Sequence, residues 1–185
     1  IESKKASFGN AKYRPIIGSL ILNENWGVLE NLLNEAIDTS GKNLVKVTWI
    51  APLDEYWSKS EYQLQRFKDL SDNKGVELEV FLPIPHRKDR KVGKSYLNQF
   101  RSVKSDLHGF VEGYLNGYEE IVIINGKCAF IICYLYQNED LLPIPVGFLT
   151  ENADAIAAIT LDFTGYLSSL DEDFEPRELG LLVKR

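Results

Sequence analysis

The sequence predicts an α/β domain with a mixed sheet and helices on both faces. Three observations predict it. Apolar residues alternate between strand and helix periods along the first hundred positions, which implies parallel strands with helices packed on them. Asn125-Gly126 between two apolar runs is a hairpin signal and adds antiparallel strands. An amphipathic pattern near the carboxyl end supplies a last helix.

Ile16 to Leu22 reads as the first strand. Trp26, Leu29, Leu32, Leu33, Ala36 and Ile37 then recur at helical spacing, and Thr39-Ser40-Gly41 ends that helix. Leu44 to Ile50 is the second strand, with Val45, Val47 and Trp49 on one face and Ala51-Pro52 as its stop. Leu64, Phe67 and Leu70 mark a helix closed by Asn73-Lys74-Gly75. Val76, Leu78, Val80 and Leu82 alternate with Glu77 and Glu79, so this strand turns one face toward water.

Pro83-Ile84-Pro85 opens an irregular basic segment to about Gly93. Tyr96, Leu97, Phe100, Val103, Leu107, Phe110, Val111 and Tyr114 then fit one long helix. Ile121 to Ile124 and Lys127 to Tyr136 flank the Asn-Gly turn, and Val146 to Leu149 is a further strand. Ala155, Ile156, Ile159, Phe163, Tyr166, Leu167 and Leu170 form the last helix. Residues 1–170 read as one domain and 171–185 as an acidic tail carrying Asp171, Glu172, Asp173, Glu175 and Glu178.

The 185 residues suit one domain with a real core. Hydrophobic residues at 44% and charged residues at 26% are ordinary globular composition. A formal net charge of −6 argues against nonspecific binding of nucleic acid or membrane by the whole molecule. No stretch approaches the roughly 20 apolar residues of a spanning helix, and no secretory signal pattern is present. The sequence contains no Met, so the expectation is a segment of a larger protein. Cys128 and Cys133, five apart on one strand, should face opposite ways as free thiols, which fits a reducing, cytoplasmic setting.

In an open α/β sheet, ligands collect at the carboxyl ends of the strands. The loops expected there hold Asn23, Glu24 and Asn25, then Asp54, Glu55, Tyr56 and Trp57, then His86, Arg87 and Lys88. With Arg90, Lys91 and Lys94, the segment from His86 is the densest positive charge in the chain. Clustered before a helix start at Lys94-Ser95, it suits a phosphate, because dipole and side chains act together. A solvated charge run is the bland reading. Gly93-Lys94-Ser95 matches the last three P-loop positions, but the first glycine of that motif would fall at Lys88, so the match is chance. His108 falls on the boundary of the long helix and reads as structural. His86 is the better candidate for chemistry. No metal-ligand spacing and no nucleophile elbow is visible, and no cofactor is expected.

The hairpin region resembles the phospholipase D-like superfamily. Active members carry, on a strand, His, one spacer, Lys, four spacers and Asp. The run from Tyr118 to Ile132 has this cadence, and a helix, a strand ending in Ala51-Pro52, a second helix and Lys74-Gly75-Val76-Glu77-Leu78 precede it. Carried over, Tyr118 stands for His, Glu120 for Lys and Asn125 for Asp. The family uses its His as nucleophile and its Lys to hold phosphate charge. The resemblance therefore implies a phospholipase D-like half-domain with a dead site, like regulatory modules beside DNA-binding segments.

The expectation is a non-catalytic ligand-binding or sensory module of a larger intracellular protein. Its ligand is anionic or phosphate-bearing, at Asp54, Glu55, His86, Arg87, Lys88, Arg90, Lys91, Lys94 and Ser95. One alternative is a phosphodiester- or nucleotide-processing enzyme using His86 with Asp54 or Glu55. Another is a protein-interaction domain or homodimer anchored by Tyr56, Trp57, Tyr134 and Tyr136 if exposed.

Overall fold

In the computed structural model, Gly18 takes φ 82° and ψ 163°, a conformation that side-chain-bearing residues avoid. A strand ends before it and a helix begins after it. The expected strand from Ile16 to Leu22 is thereby corrected: Leu20, Ile21 and Leu22 form the first helical turn.

The structure describes residues 7–8, 11–52, 61–84, 90–100, 104–111, 119–135, 143–169 and 177–178. The first half holds β1 (Ser7–Phe8), β2 (Ala11–Ile17), α1 (Ser19–Ser40), β3 (Val45–Ile50), α2 (Glu61–Asp72), β4 (Val76–Ile84) and α3 (Arg90–Gln99). The second half holds β5 (Asp106–Val111), β6 (Glu119–Ile124), β7 (Cys128–Leu135), β8 (Ile144–Thr150), α4 (Ala153–Ser169) and β9 (Arg177–Glu178). Among the described residues the strands make one mixed sheet in the order β1-β2-β8-β7-β6-β3-β4-β5-β9. β3, β4 and β5 run parallel, and the remaining pairs are antiparallel.

The period-two pattern decides which side of each strand is covered. Val45, Val47 and Trp49 of β3 join Val122, Ile124, Phe130, Ile132 and Leu149 beneath the α1 stripe of Leu22, Trp26, Leu29, Leu33 and Ala36. Leu70 of α2 and Leu97 of α3 pack against the same core. On the opposite side α4 covers the sheet: Ile156 meets Ile123 and Ala129, and Phe163 packs with Ile50, Phe81 and Ile121. Helices on both faces of a mixed sheet are the predicted fold class.

The hairpin forms as expected. β6 and β7 pair antiparallel across a turn in which Gly126 has φ 70° and Lys127 N–H donates to the Ile124 carbonyl at 3.0 Å. α1 ends at Gly41, φ 66°, where the turn residues placed its end.

Two further expectations are corrected. Pro83 and Ile84 are not irregular; they finish β4, past the last residue that β3 pairs. The long helix expected from Tyr96 to Tyr114 divides. α3 begins earlier, at Arg90, and stops at Gln99, while Leu107, Phe110 and Val111 lie on β5, parallel to β4. The spacing 107, 110, 111 suits a helix, but the edge of β4 offers a parallel ladder for the backbone groups along one side of this segment. Within the expected acidic tail, Arg177 and Glu178 pair with Gly109 and His108 of β5 as an edge strand.

Candidate functional site

Of the residues expected at the strand ends, Asp54, Glu55, Tyr56, Trp57, His86, Arg87 and Lys88 lie outside the described residues, as do Tyr118 and Tyr136. Asn23, Glu24 and Asn25 do not form a loop. They lie in α1, where Asn25 is buried and its Nδ2 donates to the Ile21 carbonyl at 2.8 Å. Arg90, Lys91, Lys94 and Ser95 all belong to α3. The helix start expected at Lys94-Ser95 is therefore corrected to Arg90. Lys94 is exposed, and Ser95 Oγ accepts from Gln99 Nε2 at 3.0 Å.

The strongest polar arrangement in the described sheet surrounds Glu120, the position that the cadence assigns to the phosphate-holding Lys. β6 turns Glu120 to the same side as Val122 and Ile124, into the α1-covered core, and leaves it 1% exposed. Trp49 Nε1 donates to Oε1 at 3.0 Å, and the Tyr134 hydroxyl donates to Oε2 at 2.5 Å. Burial pushes the carboxyl up to about 7, against the hydrogen bonds from Tyr134 and Trp49 and the charge of Arg66. The Glu120 carboxyl on β6 is thus held by neighbours on the two adjacent strands, β3 and β7. Tyr134, an interaction anchor only if exposed, is instead a buried partner of this acid, because β7 turns its even-numbered residues inward.

A cleft of about 280 Å³ opens on the same side of the sheet, between α1 and α2. Val47, Val122 and Ile124 make its floor, and Leu29, Leu33 and Leu70 add apolar wall. Trp26 and Arg66 line it together, with the guanidinium carbon 4.3 Å above the indole ring. Beneath, Trp26 packs on Trp49 and Phe130, with ring centroids 5.2 and 4.8 Å apart. Glu30, Asn34, Asp69 and Asn73 supply polar rim.

Sequence reasoning placed Trp26 and Trp49 in the core and had no signal for Arg66. Its contact with Trp26 joins residues forty positions apart on different helices, which periodicity does not report.

His108 lies on β5 rather than on a helix, a further correction. It stacks on Phe81, centroids 4.9 Å apart, and its Nε2 lies 3.4 Å from Glu79 Oε1. Glu79 also pairs with Lys46 at 2.9 Å. Cys128 and Cys133 are free and face opposite sides of β7, the first buried in the α1-side core and the second half-buried. Burial, with the charge of Glu151, pushes the Cys128 thiol up to about 12. Among the described residues no group of three or more His, Cys, Asp or Glu is placed to hold a metal ion. No described helix is long and apolar enough to cross a membrane.

No family model matches the chain, and no curated protein matches it either. Solved structures with similar chain traces include NucT from Helicobacter pylori, with a TM-score of 0.48 and 12% identity over 86% of this chain and 97% of that one. Polyphosphate kinase from Porphyromonas gingivalis gives 0.47 and 14% over 98% of this chain. Phosphatidylserine synthase from Haemophilus influenzae Rd KW20 gives 0.45 and 13% over 90%. This chain spans only 28% and 41% of the latter two. At such identities and TM-scores these likenesses transfer no residue role to this chain.

Proposed function

We propose that the chain is a non-catalytic ligand-binding or regulatory module built on a phospholipase D-like half-domain. The observation that carries this reading is Glu120. Where the resemblance calls for a phosphate-holding lysine, the strand presents a buried acid whose two oxygens each accept a hydrogen bond from the core. An ionised carboxylate repels a phosphodiester, and a neutral one supplies no charge to hold it. Its shielding by Trp49 and Tyr134 also gives a substrate no direct access.

An anionic or phosphate-bearing ligand would then be taken by the basic segment of Arg87, Lys88, Arg90, Lys91 and Lys94, with Ser95, His86, Asp54 and Glu55 as further contacts. Positive charge is concentrated there in a chain of net charge −6. Guanidinium and ammonium groups close together in sequence suit phosphate oxygens.

Thermal unfolding tests this reading against inorganic phosphate, nucleotides, sugar phosphates and anionic lipid headgroups. A ligand that binds the native state alone raises the midpoint by mass action. The expected result is a rise with one anion class that disappears in the combined Arg87→Ala, Lys88→Ala, Arg90→Ala, Lys91→Ala variant. No hydrolysis of a phosphodiester should accompany it. Turnover that His86→Ala abolishes in a folded protein would overturn the non-catalytic reading.

A further inference from the structure

Antiparallel strands that turn one face to water alternate apolar with polar residues. β2, β8 and β7 do not. Their register sets Pro15, Phe148 and Ile131 in one row, and Ile17, Val146 and Cys133 in the next. Leu135 and its partner Ile144 begin a third. Residues two apart on a strand share a side, so all of these lie on the α4 side with Ala129. α4 packs on Ala129, Ile123 and Ile121, yet none of the residues in these rows is buried. Ile17 is 68% and Leu135 48% exposed. An apolar surface continuous over three neighbouring strands is the pattern of a sheet face that something covers.

The dimensions select the cover. Neighbouring strands lie about 4.8 Å apart and rows on one side repeat about every 6.8 Å, so this face measures roughly 10 by 15 Å. A helix is about 10 Å wide and rises about 1.5 Å per residue, so a single helix of roughly a dozen residues fits. The rest of this sheet is covered in the same way, by α1, α2 and α3 on one side and α4 on the other.

A polar atom at the margin selects the charge. Glu119 pairs with Cys133 in the second row, and its Oε2 is buried with no hydrogen-bond partner. A buried carboxylate oxygen left unmet is costly, and a Lys or Arg head group arriving with the cover would meet it. A second copy of this chain would bring a net charge of −6 and the same acid, and an anionic lipid surface would bring further negative charge. We propose that the α4-side face of β2, β8 and β7 is a docking surface for a basic amphipathic helix of another polypeptide. Its apolar stripe lies on Ile17, Val146, Phe148, Ile131 and Leu135, and a cationic side chain meets Glu119.

The probe is a dye-labelled peptide of roughly a dozen Leu and Lys residues, with Leu at the three- and four-residue spacing of one helical stripe. A peptide of the same composition scrambled to break the stripe, and a striped Leu–Glu peptide, are the controls. Binding to the full chain is read by fluorescence anisotropy, and its place by the rate at which iodoacetamide alkylates Cys133, which lies on the face. The expected result is saturable binding of the striped Leu–Lys peptide with slower alkylation of Cys133. Affinity should be about tenfold or more weaker for both controls, and for the striped peptide with the Ile17→Asn, Leu135→Asn variant. Both substituted positions are exposed, so the variant keeps its fold. Glu119→Gln should also weaken binding, and Leu161→Asn, at an exposed position on α4, should leave it unchanged. No saturable binding, equal affinity for either control, or unchanged Cys133 alkylation at saturation overturns the proposal. So does a dimer in sedimentation equilibrium that Ile17→Asn, Leu135→Asn abolishes, which would give the face to a second copy. Flotation with phosphatidylserine-containing vesicles that the same variant abolishes would give it to a membrane and overturns the proposal too. Alanine at Arg87, Lys88, Arg90 and Lys91 should leave peptide binding unchanged, which separates this face from the anion site.

Discussion

Glu120 is held between opposed pressures. Removal from water favours the neutral acid, while the Trp49 N–H, the Tyr134 O–H and the positive charge of Arg66 favour the carboxylate. Its folded-state value of about 7 lies above the ordinary 4.5, so between those pH values the folded chain keeps a proton that the unfolded chain has lost. Stability contributed by this group is therefore lost as pH rises through that window, on the order of 3 kcal/mol in total. Urea unfolding from pH 4.5 to 8 should show this loss in the native protein relative to Glu120→Gln, whose amide does not titrate there. Tyr134→Phe removes a donor that favours the charged form and should move the step to higher pH. A second test concerns the thiols. Cys128 is buried, with its thiol pushed far above neutrality, whereas Cys133 is half-buried. Iodoacetamide at pH 8 should label Cys133 in the native protein and Cys128 only after unfolding, as read by mass spectrometry.

At the scale of elements, backbone approach sets the tolerances. Gly147 on β8 stands opposite Ile132 and Ile16, and a Cβ built there would fall 1.9 Å from the Ile131 carbonyl oxygen. Gly147→Ala must therefore push two strands apart and should cost about 2–4 kcal/mol in chemical denaturation. Gly126→Ala meets no atom within 4 Å but must hold φ 70°, and should cost only about 1 kcal/mol. The contrast separates packing from backbone strain. These elements were also unequally legible in the sequence. α1 and the β6–β7 hairpin were readable because their signals are local: a 3.6-residue stripe closed by Gly41, and Asn125-Gly126 between apolar runs. β5 was not. Leu107, Phe110 and Val111 satisfy helical spacing as well, and the partner that makes them a strand, β4, lies 27 residues earlier in the chain.

Across the whole molecule, one sheet divides two unequal cores. The α1 side gathers Trp26, Trp49, Phe100 and Phe130 into a continuous cluster, and the α4 side holds smaller groups around Phe81 and Ile123. The central strands β3, β6 and β7 have partners on both sides, while β1 and β9 are two-residue edges. Amide hydrogen exchange should therefore be slowest in β6 and β7 and fast at Ser7, Phe8, Arg177 and Glu178. Protection at β9 equal to that of β6 would mean that the edge is covered in solution. The same division explains why Glu120 and the cleft share a face. Both sit under the larger core, where two helices leave room above the sheet.

The sequence by itself determined the fold class, the alternation of α1, β3, α2 and β4, and the hairpin. These rest on side-chain period, turn chemistry and residue type, all of which act over a few neighbouring positions. Only the tertiary structure decided that Glu120 is buried between Trp49 and Tyr134, that Arg66 covers Trp26, and that His108 stacks on Phe81. Each of those contacts joins residues from different elements, and a single chain's periodicity carries no information about which distant segment comes to lie alongside.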